Sequence, residues 1–204
     1  MSGGRDTPWV GGRHDNGVSA ERLLAVEEPY WFGENVMPVA VVVGNPRPRS
    51  RTLALGTAVG QRVAVDLATD LTVTDLASIG PALLDAEHPA TAEALAQLYA
   101  ADAIVFATPT YKGSYSGILK VFLDYVPGGA LAGRVGLPVM TGGARDHSLA
   151  IDVHLRPVLL NLGACLPTQG LYVTEAELPD IAAVIERWWT LARAACVAVV
   201  RSRV

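Results

Sequence analysis

The chain has 204 residues, half of them hydrophobic and 18% charged, with a formal net charge of −4. That length fits one domain, or one domain plus a tail, with ample apolar content for a core. The acidic balance argues against a general nucleic-acid binder, which needs a basic face for the phosphate backbone.

Only two cysteines occur, Cys165 and Cys196. They lie in separate apolar segments and read as buried thiols rather than a disulfide or a metal pair. No CxxC or HxxxH spacing is present, so no metal is expected. The N-terminus has no apolar run of signal-peptide length, and no stretch of about 18 uncharged apolar residues is long enough to span a bilayer. A cytoplasmic protein without a membrane segment is the expectation.

Residues 1–36 differ from the rest. Met1 to Gly17 is rich in turn formers and lacks sustained periodicity, and Ser19 to Glu28 suits one or two helical turns. Trp9, Tyr30, Trp31 and Phe32 are unusual in a disordered tail. We expect an N-terminal extension, poorly ordered or docked on the domain or a partner subunit, ahead of a domain over residues 37–204.

Strand and helix then alternate. Val39–Val43 is the first strand, nearly all β-branched, as a strand covered on both faces should be. Leu53–Val65 fits a helix, and Leu71–Asp75 a second strand. Pro89–Tyr99 has helical spacing, and Ala103–Ala107 is the third strand. Gly117–Tyr125 is helical, and Gly136–Thr141 is the fourth strand. His147–Leu162 is largely helical, with Pro157 expected to kink or restart it. Leu166–Val173 holds the fifth strand, and Asp180–Arg201 is a closing helix. Five strands with interposed helices imply an α/β fold: a doubly wound, five-stranded parallel sheet of flavodoxin-like order 2-1-3-4-5. A ligand is then expected where the strand order reverses, beyond strands one and three.

Three loops should gather there. Gly44-Asn-Pro-Arg-Pro-Arg-Ser-Arg-Thr52 joins the first strand to a helix start, where backbone N–H groups and the helix dipole favour an anion. Ser50 and Thr52 add hydroxyls, and Arg47, Arg49 and Arg51 add charge and forked hydrogen bonds. The loop is neither GxGxxG nor GxxxxGK[ST], so a single phosphate is favoured, as in FMN. The second loop, Thr108-Pro-Thr-Tyr-Lys-Gly-Ser-Tyr-Ser-Gly117, has small residues that let its backbone approach a flat ligand. Tyr111 is placed to stack on a ring and Lys112 to meet an anion, although Tyr111 and Tyr115 also suit plain packing. The third, Thr141-Gly-Gly-Ala-Arg-Asp-His147, offers glycine N–H groups to the polar edge of a flavin. His147 also suits a hydrogen-bonding role at a helix start, and Lys120 with Asp124 a surface ion pair.

Together these loops, with the run Ser148 to Leu159 that carries Asp152, Arg156 and Pro157, resemble the NADPH-dependent FMN reductase family. The branch most alike is the reductases that supply reduced flavin to two-component monooxygenases, as in alkanesulfonate use. Asn45 stands where Ser is common in the family, and the leader lies outside the family pattern. The resemblance implies that Arg47, Ser50, Arg51 and Thr52 hold the FMN phosphate. It implies that Pro109, Thr110, Tyr111, Lys112, Gly113 and Ser114 line the ribityl chain and ring, and that Thr141, Gly142 and Gly143 meet the isoalloxazine. It further implies hydride transfer from NADPH or NADH to flavin N5, no catalytic side chain, a homodimer or homotetramer, and a flavin-dependent monooxygenase as partner. The same loops suit an FMN-bound enzyme that reduces quinones, azo dyes or metal oxyanions. Readings of another class are a flavodoxin-like electron carrier, against which the missing TxTGxT-type loop counts, and a flavin-free interaction protein.

Overall fold

A computed structural model describes residues 38–202, all within one unit, Glu34–Val204. The extension over residues 1–36 therefore lies outside the described residues. The first strand, β1 (Val39–Val43), has all five residues buried. It feeds helix α1 (Arg51–Leu67), which starts where Ser50 Oγ accepts a hydrogen bond from the Leu53 N–H at 3.1 Å. The helix ends at Ala68, whose left-handed backbone (φ 52°) turns its N–H back to Ala64 and Val65 carbonyls. Strand β2 (Leu71–Asp75) follows, then a short helix α2 (Leu76–Ile79), a 3-10 turn (Gly80–Leu84) and α3 (Pro89–Ala100).

Strand β3 (Ala103–Pro109) leads to α4 (Gly117–Leu123), and β4 (Val135–Gly142) to a 3-10 turn (Arg145–His147). The expected helix over 147–162 is divided. Ile151–Leu155 forms a widened π turn, and α5 (Arg156–Asn161) starts afresh with Pro157 in its first turn. Proline lacks the N–H for an α bond and crowds the preceding turn, which the wider spacing relieves. Strand β5 (Leu171–Thr174) is shorter than expected, and residues before it contribute only a bridge between Cys165 and Val135. Pro167 supplies no donor to the ladder there. A 3-10 turn (Glu175–Asp180) then leads into α6 (Ile181–Arg201).

The sheet is parallel throughout, in the order β2-β1-β3-β4-β5. Side chains alternate between its faces with the strand period of two. Val39, Val41 and Val43 face a layer built with Val59 of α1 and Trp189 of α6. Ala40 and Val42 face the opposite layer, with Leu119 and Phe122 of α4 and Leu155 of the π turn. Helix α1 lies very close to the sheet, because a methyl at Gly60 would come within 2.4 Å of Val41 Cγ2. It is tied to α6 through Asp66, which takes hydrogen bonds from Trp189 Nε1 (2.8 Å) and pairs with Arg62 (2.9 Å). Among the described residues no helix is long and apolar enough to cross a membrane.

Candidate functional site

Parallel strands bring every following loop to the same end of the sheet. There the loops after β1, β3 and β4, with the turn after β5, enclose a cavity of about 420 Å³. That is within the usual range for a small-molecule or cofactor site, roughly 300–1,000 Å³.

The first loop is anchored at both ends. Gly44 donates its N–H to the Ala107 carbonyl at 2.8 Å and lies so close to α4 that a Cβ would fall 2.3 Å from Leu119 Cβ. Ser116, which caps α4, donates its hydroxyl to the Gly44 carbonyl, and the buried Thr108 hydroxyl accepts the Ser116 N–H at 3.0 Å. Asn45 is buried, taking the Arg47 N–H on Oδ1 (2.9 Å) and donating from Nδ2 to Thr52 Oγ1 (3.0 Å). Thr52 in turn bonds the Thr141 hydroxyl at 3.0 Å, joining the loop to the end of β4.

Above this buried chain, Arg47 and Arg49 are exposed and Ser50 is half-buried, and all three line the cavity. Ser50 Oγ accepts from Leu53, so its own proton remains free to donate. The first amides of a helix have no intrahelical partner; the i→i−4 ladder begins with Ala54 to the Ser50 carbonyl (3.2 Å) and Leu53 uses the Ser50 hydroxyl, leaving those of Arg51 and Thr52. Arg51 is held by Glu175, with Nη2 2.6 Å from Oε1.

In the second loop, β3 runs on through Pro109, paired with Thr141, and Thr110 donates to the Thr141 carbonyl at 2.7 Å. Tyr111 and Ser114 then exchange two backbone bonds (2.8 and 3.0 Å) across Lys112 and Gly113, whose φ values are 53° and 74°. This is the two-residue reversal of a tight hairpin. Pro109, Thr110 and Tyr111 line the cavity, whereas Lys112, Gly113 and Ser114 lie beyond its wall. Tyr115 packs against the core beside α4.

In the third loop, Thr141, Gly142 and Gly143 line the cavity. Gly142 leaves no room for a side chain, because a Cβ would stand 1.8 Å from Tyr172 Oη; at Gly143 nothing lies within 4 Å. Tyr172 donates to the Ala144 carbonyl at 3.1 Å, fixing the loop over β5. His147 is exposed, and neither it nor Asp152 nor Arg156 lines this cavity. Arg156 donates to the Thr168 carbonyl at 2.6 Å and pairs with Asp152 at 3.4 Å, bracing the approach to β5.

Ten of the thirteen residues expected at the site thus come together: Arg47, Ser50, Arg51, Thr52, Pro109, Thr110, Tyr111, Thr141, Gly142 and Gly143. Val173, Glu175 and Leu178 also line the cavity, and no motif in the sequence marks them. Their only signal is position, at the end of the last strand and in the turn that follows it, where the loops meet. The set of groups fits a phosphorylated flavin. Guanidinium groups, a hydroxyl and free helix amides gather at one side, and glycine backbone borders open space at the other.

A parallel sheet of this order with an anion-suited cavity across its carboxyl ends defines a flavodoxin-like ligand-binding α/β protein. More narrowly, the chain belongs to the NADPH-dependent FMN reductase family, which it matches over residues 37–177. An FMN reductase (NADPH) of Escherichia coli K12 is 43% identical over 94 residues, 46% of this chain and 49% of that protein, so the match spans about half of that relative. The NADH-dependent FMN reductase SfnF of Pseudomonas fluorescens Pf0-1 is 37% identical over 147 residues, covering 70% of this chain and 78% of it. Among solved structures, the apo form of an NADH:FMN oxidoreductase (EMOB) superposes with a TM-score of 0.71 at 29% identity, covering 82% of this chain and 90% of that one.

Proposed function

We propose that the protein is an NAD(P)H-dependent FMN reductase and that residues 37–204 form its flavin domain. The observation that carries this reading is the meeting of the Arg-rich turn and the glycine loop around one cavity, within a chain of this family. Arg47, Ser50 and the first amides of α1 hold the phosphate, with Arg51 at its edge. The Thr52 side chain braces the loop from beneath through Asn45 and Thr141. Pro109, Thr110 and Tyr111 border the ribityl chain and ring, and Thr141 to Gly143 meet the isoalloxazine.

When bound, FMN supplies the acceptor chemistry, taking hydride from the nicotinamide at N5. The protein supplies stacked geometry and excludes water. Reduced FMN then passes to a flavin-dependent monooxygenase, and the enzyme works in the cytoplasm as a homo-oligomer.

The test is NADPH and NADH oxidation by purified protein, titrated with free FMN and then with a quinone, alongside its mass by light scattering. Saturation with FMN, from protein that loses flavin on purification, is the expected result. A yellow protein whose rate ignores added FMN and follows the quinone would replace this reading with a quinone reductase that retains its flavin.

A further inference from the structure

One carboxylate stands in a cavity wall whose other charged side chains are all guanidinium groups. Arg47, Arg49, Arg51 and Glu175 are the charged residues lining it among the described residues. Glu175 Oε1 takes a hydrogen bond from Arg51 Nη2 at 2.6 Å.

Both partners are delivered by fixed backbone. Arg51 is the first residue of α1, directly after its Ser50 cap. Glu175 is first in the turn after β5, and the Glu177 carboxylate secures that turn by accepting from the Thr174 N–H (2.9 Å) and hydroxyl (2.8 Å). The side chains of Arg51 and Glu175 are 64% and 55% exposed, so their pairing adds little to stability. Its effect falls on the cavity. An incoming dianion meets three guanidinium charges opposed by one carboxylate, and it must draw Arg51 from a partner already in place.

We propose that Glu175 sets the affinity for the phosphate end of the ligand, holding Arg51 back so that FMN stays exchangeable. This rests on the phosphate site proposed above. Glu175 is a tuning residue that acts through Arg51 and the local potential, without touching the reacting atoms. Riboflavin carries the same ring system without phosphate and gives Arg51 no anion to recognise.

The experiment is a fluorescence titration of FMN and of riboflavin into wild type, Glu175→Gln and Glu175→Ala, at low and high salt. Both variants should bind FMN about tenfold tighter at low ionic strength, with less gain as salt rises, while riboflavin moves by less than about twofold. Unchanged or weaker FMN binding in both variants would overturn the proposal, and so would an equal gain for FMN and riboflavin. In either case, FMN binding by wild type leaves the flavin site standing. Wild type that binds neither flavin would remove that site and this proposal together.

Discussion

Replacing Gly142 with alanine tests how closely the third loop is fitted to the sheet beneath it. The added methyl would stand 1.8 Å from Tyr172 Oη, 2.7 Å from its Cζ and 3.3 Å from Thr110 Oγ1. Gly142 is not among the residues with positive φ, so the penalty is steric rather than a matter of backbone strain. Non-bonded atoms settle at about 3.5–4.0 Å, so the phenol must retreat by roughly 1.5–2 Å. That movement breaks the Tyr172 bond to the Ala144 carbonyl and displaces a buried ring. Overpacking costs about 1–3 kcal/mol, and the lost hydrogen bond adds about 1 kcal/mol. We expect Gly142→Ala to lose about 2–4 kcal/mol in urea unfolding followed by circular dichroism. Tyr172→Phe alone should lose about 1 kcal/mol. The double variant lacks the oxygen at the 1.8 Å contact and should be at least about 1 kcal/mol more stable than additivity requires. A Gly142→Ala protein within about 0.5 kcal/mol of wild type, or a strictly additive pair, would refute the argument.

Thr52→Val keeps the shape of the side chain and strands the buried Asn45 amide, so it should cost about 1–3 kcal/mol in the same unfolding assay. Ser50→Ala removes the cap of α1 and a donor facing the cavity; stability should fall by about 1 kcal/mol and FMN affinity should weaken, as read by flavin titration. Burial alone would raise the Asp66 carboxyl, but bonds from Arg62 and Trp189 and the charges of Arg62 and Arg193 outweigh it and hold the group below its usual range. Its stabilisation is complete above the ordinary carboxylate range and is lost as pH falls through the depressed value; calorimetry should show Tm dropping below about pH 4, with a flatter slope in Asp66→Asn. Burial, and then the charge of Cys165, pushes the Cys196 thiol up to about 12. In a folded Cys165→Ser variant, Ellman's reagent should find no reactive thiol at about pH 8, and full reaction only after unfolding.

The fold was legible because its strands announce themselves. The Val39–Val43 run is apolar at every position, as burial on both faces demands, and the sheet order and family expected from the sequence agree with the structure and the comparisons. The first loop was legible because cap, charge and small residues are contiguous in the chain. What stayed hidden depends on partners distant in sequence. Glu175 meets Arg51 from 124 residues away, and Thr52 meets Thr141 from 89, so no local pattern marks either contact. The start of β5 was misplaced because Leu166 has the character of a strand residue, while ladder pairing begins only at Leu171, beyond Pro167 and a tightly packed Gly170. Lys112 carries a charge suited to an anion, yet its backbone serves a reversal that keeps it out of the cavity wall.

The polar chain beneath the cavity is directed at one end and free to turn at the other. The Arg47 N–H occupies the Asn45 amide oxygen, so the amide nitrogen faces Thr52 and donates to it. Thr52 accepts from Asn45 on one lone pair and shares a hydrogen bond with the Thr141 hydroxyl in which either oxygen can be the donor. The floor at the end of β4 can therefore switch, a hydroxyl rotation turning the pair from donor to acceptor. Such a pair can answer either a carbonyl or an N–H on the edge of a ligand without moving a heavy atom. A single asparagine, oriented by the loop suited to the anion, thus ties that adaptable floor to the turn after β1.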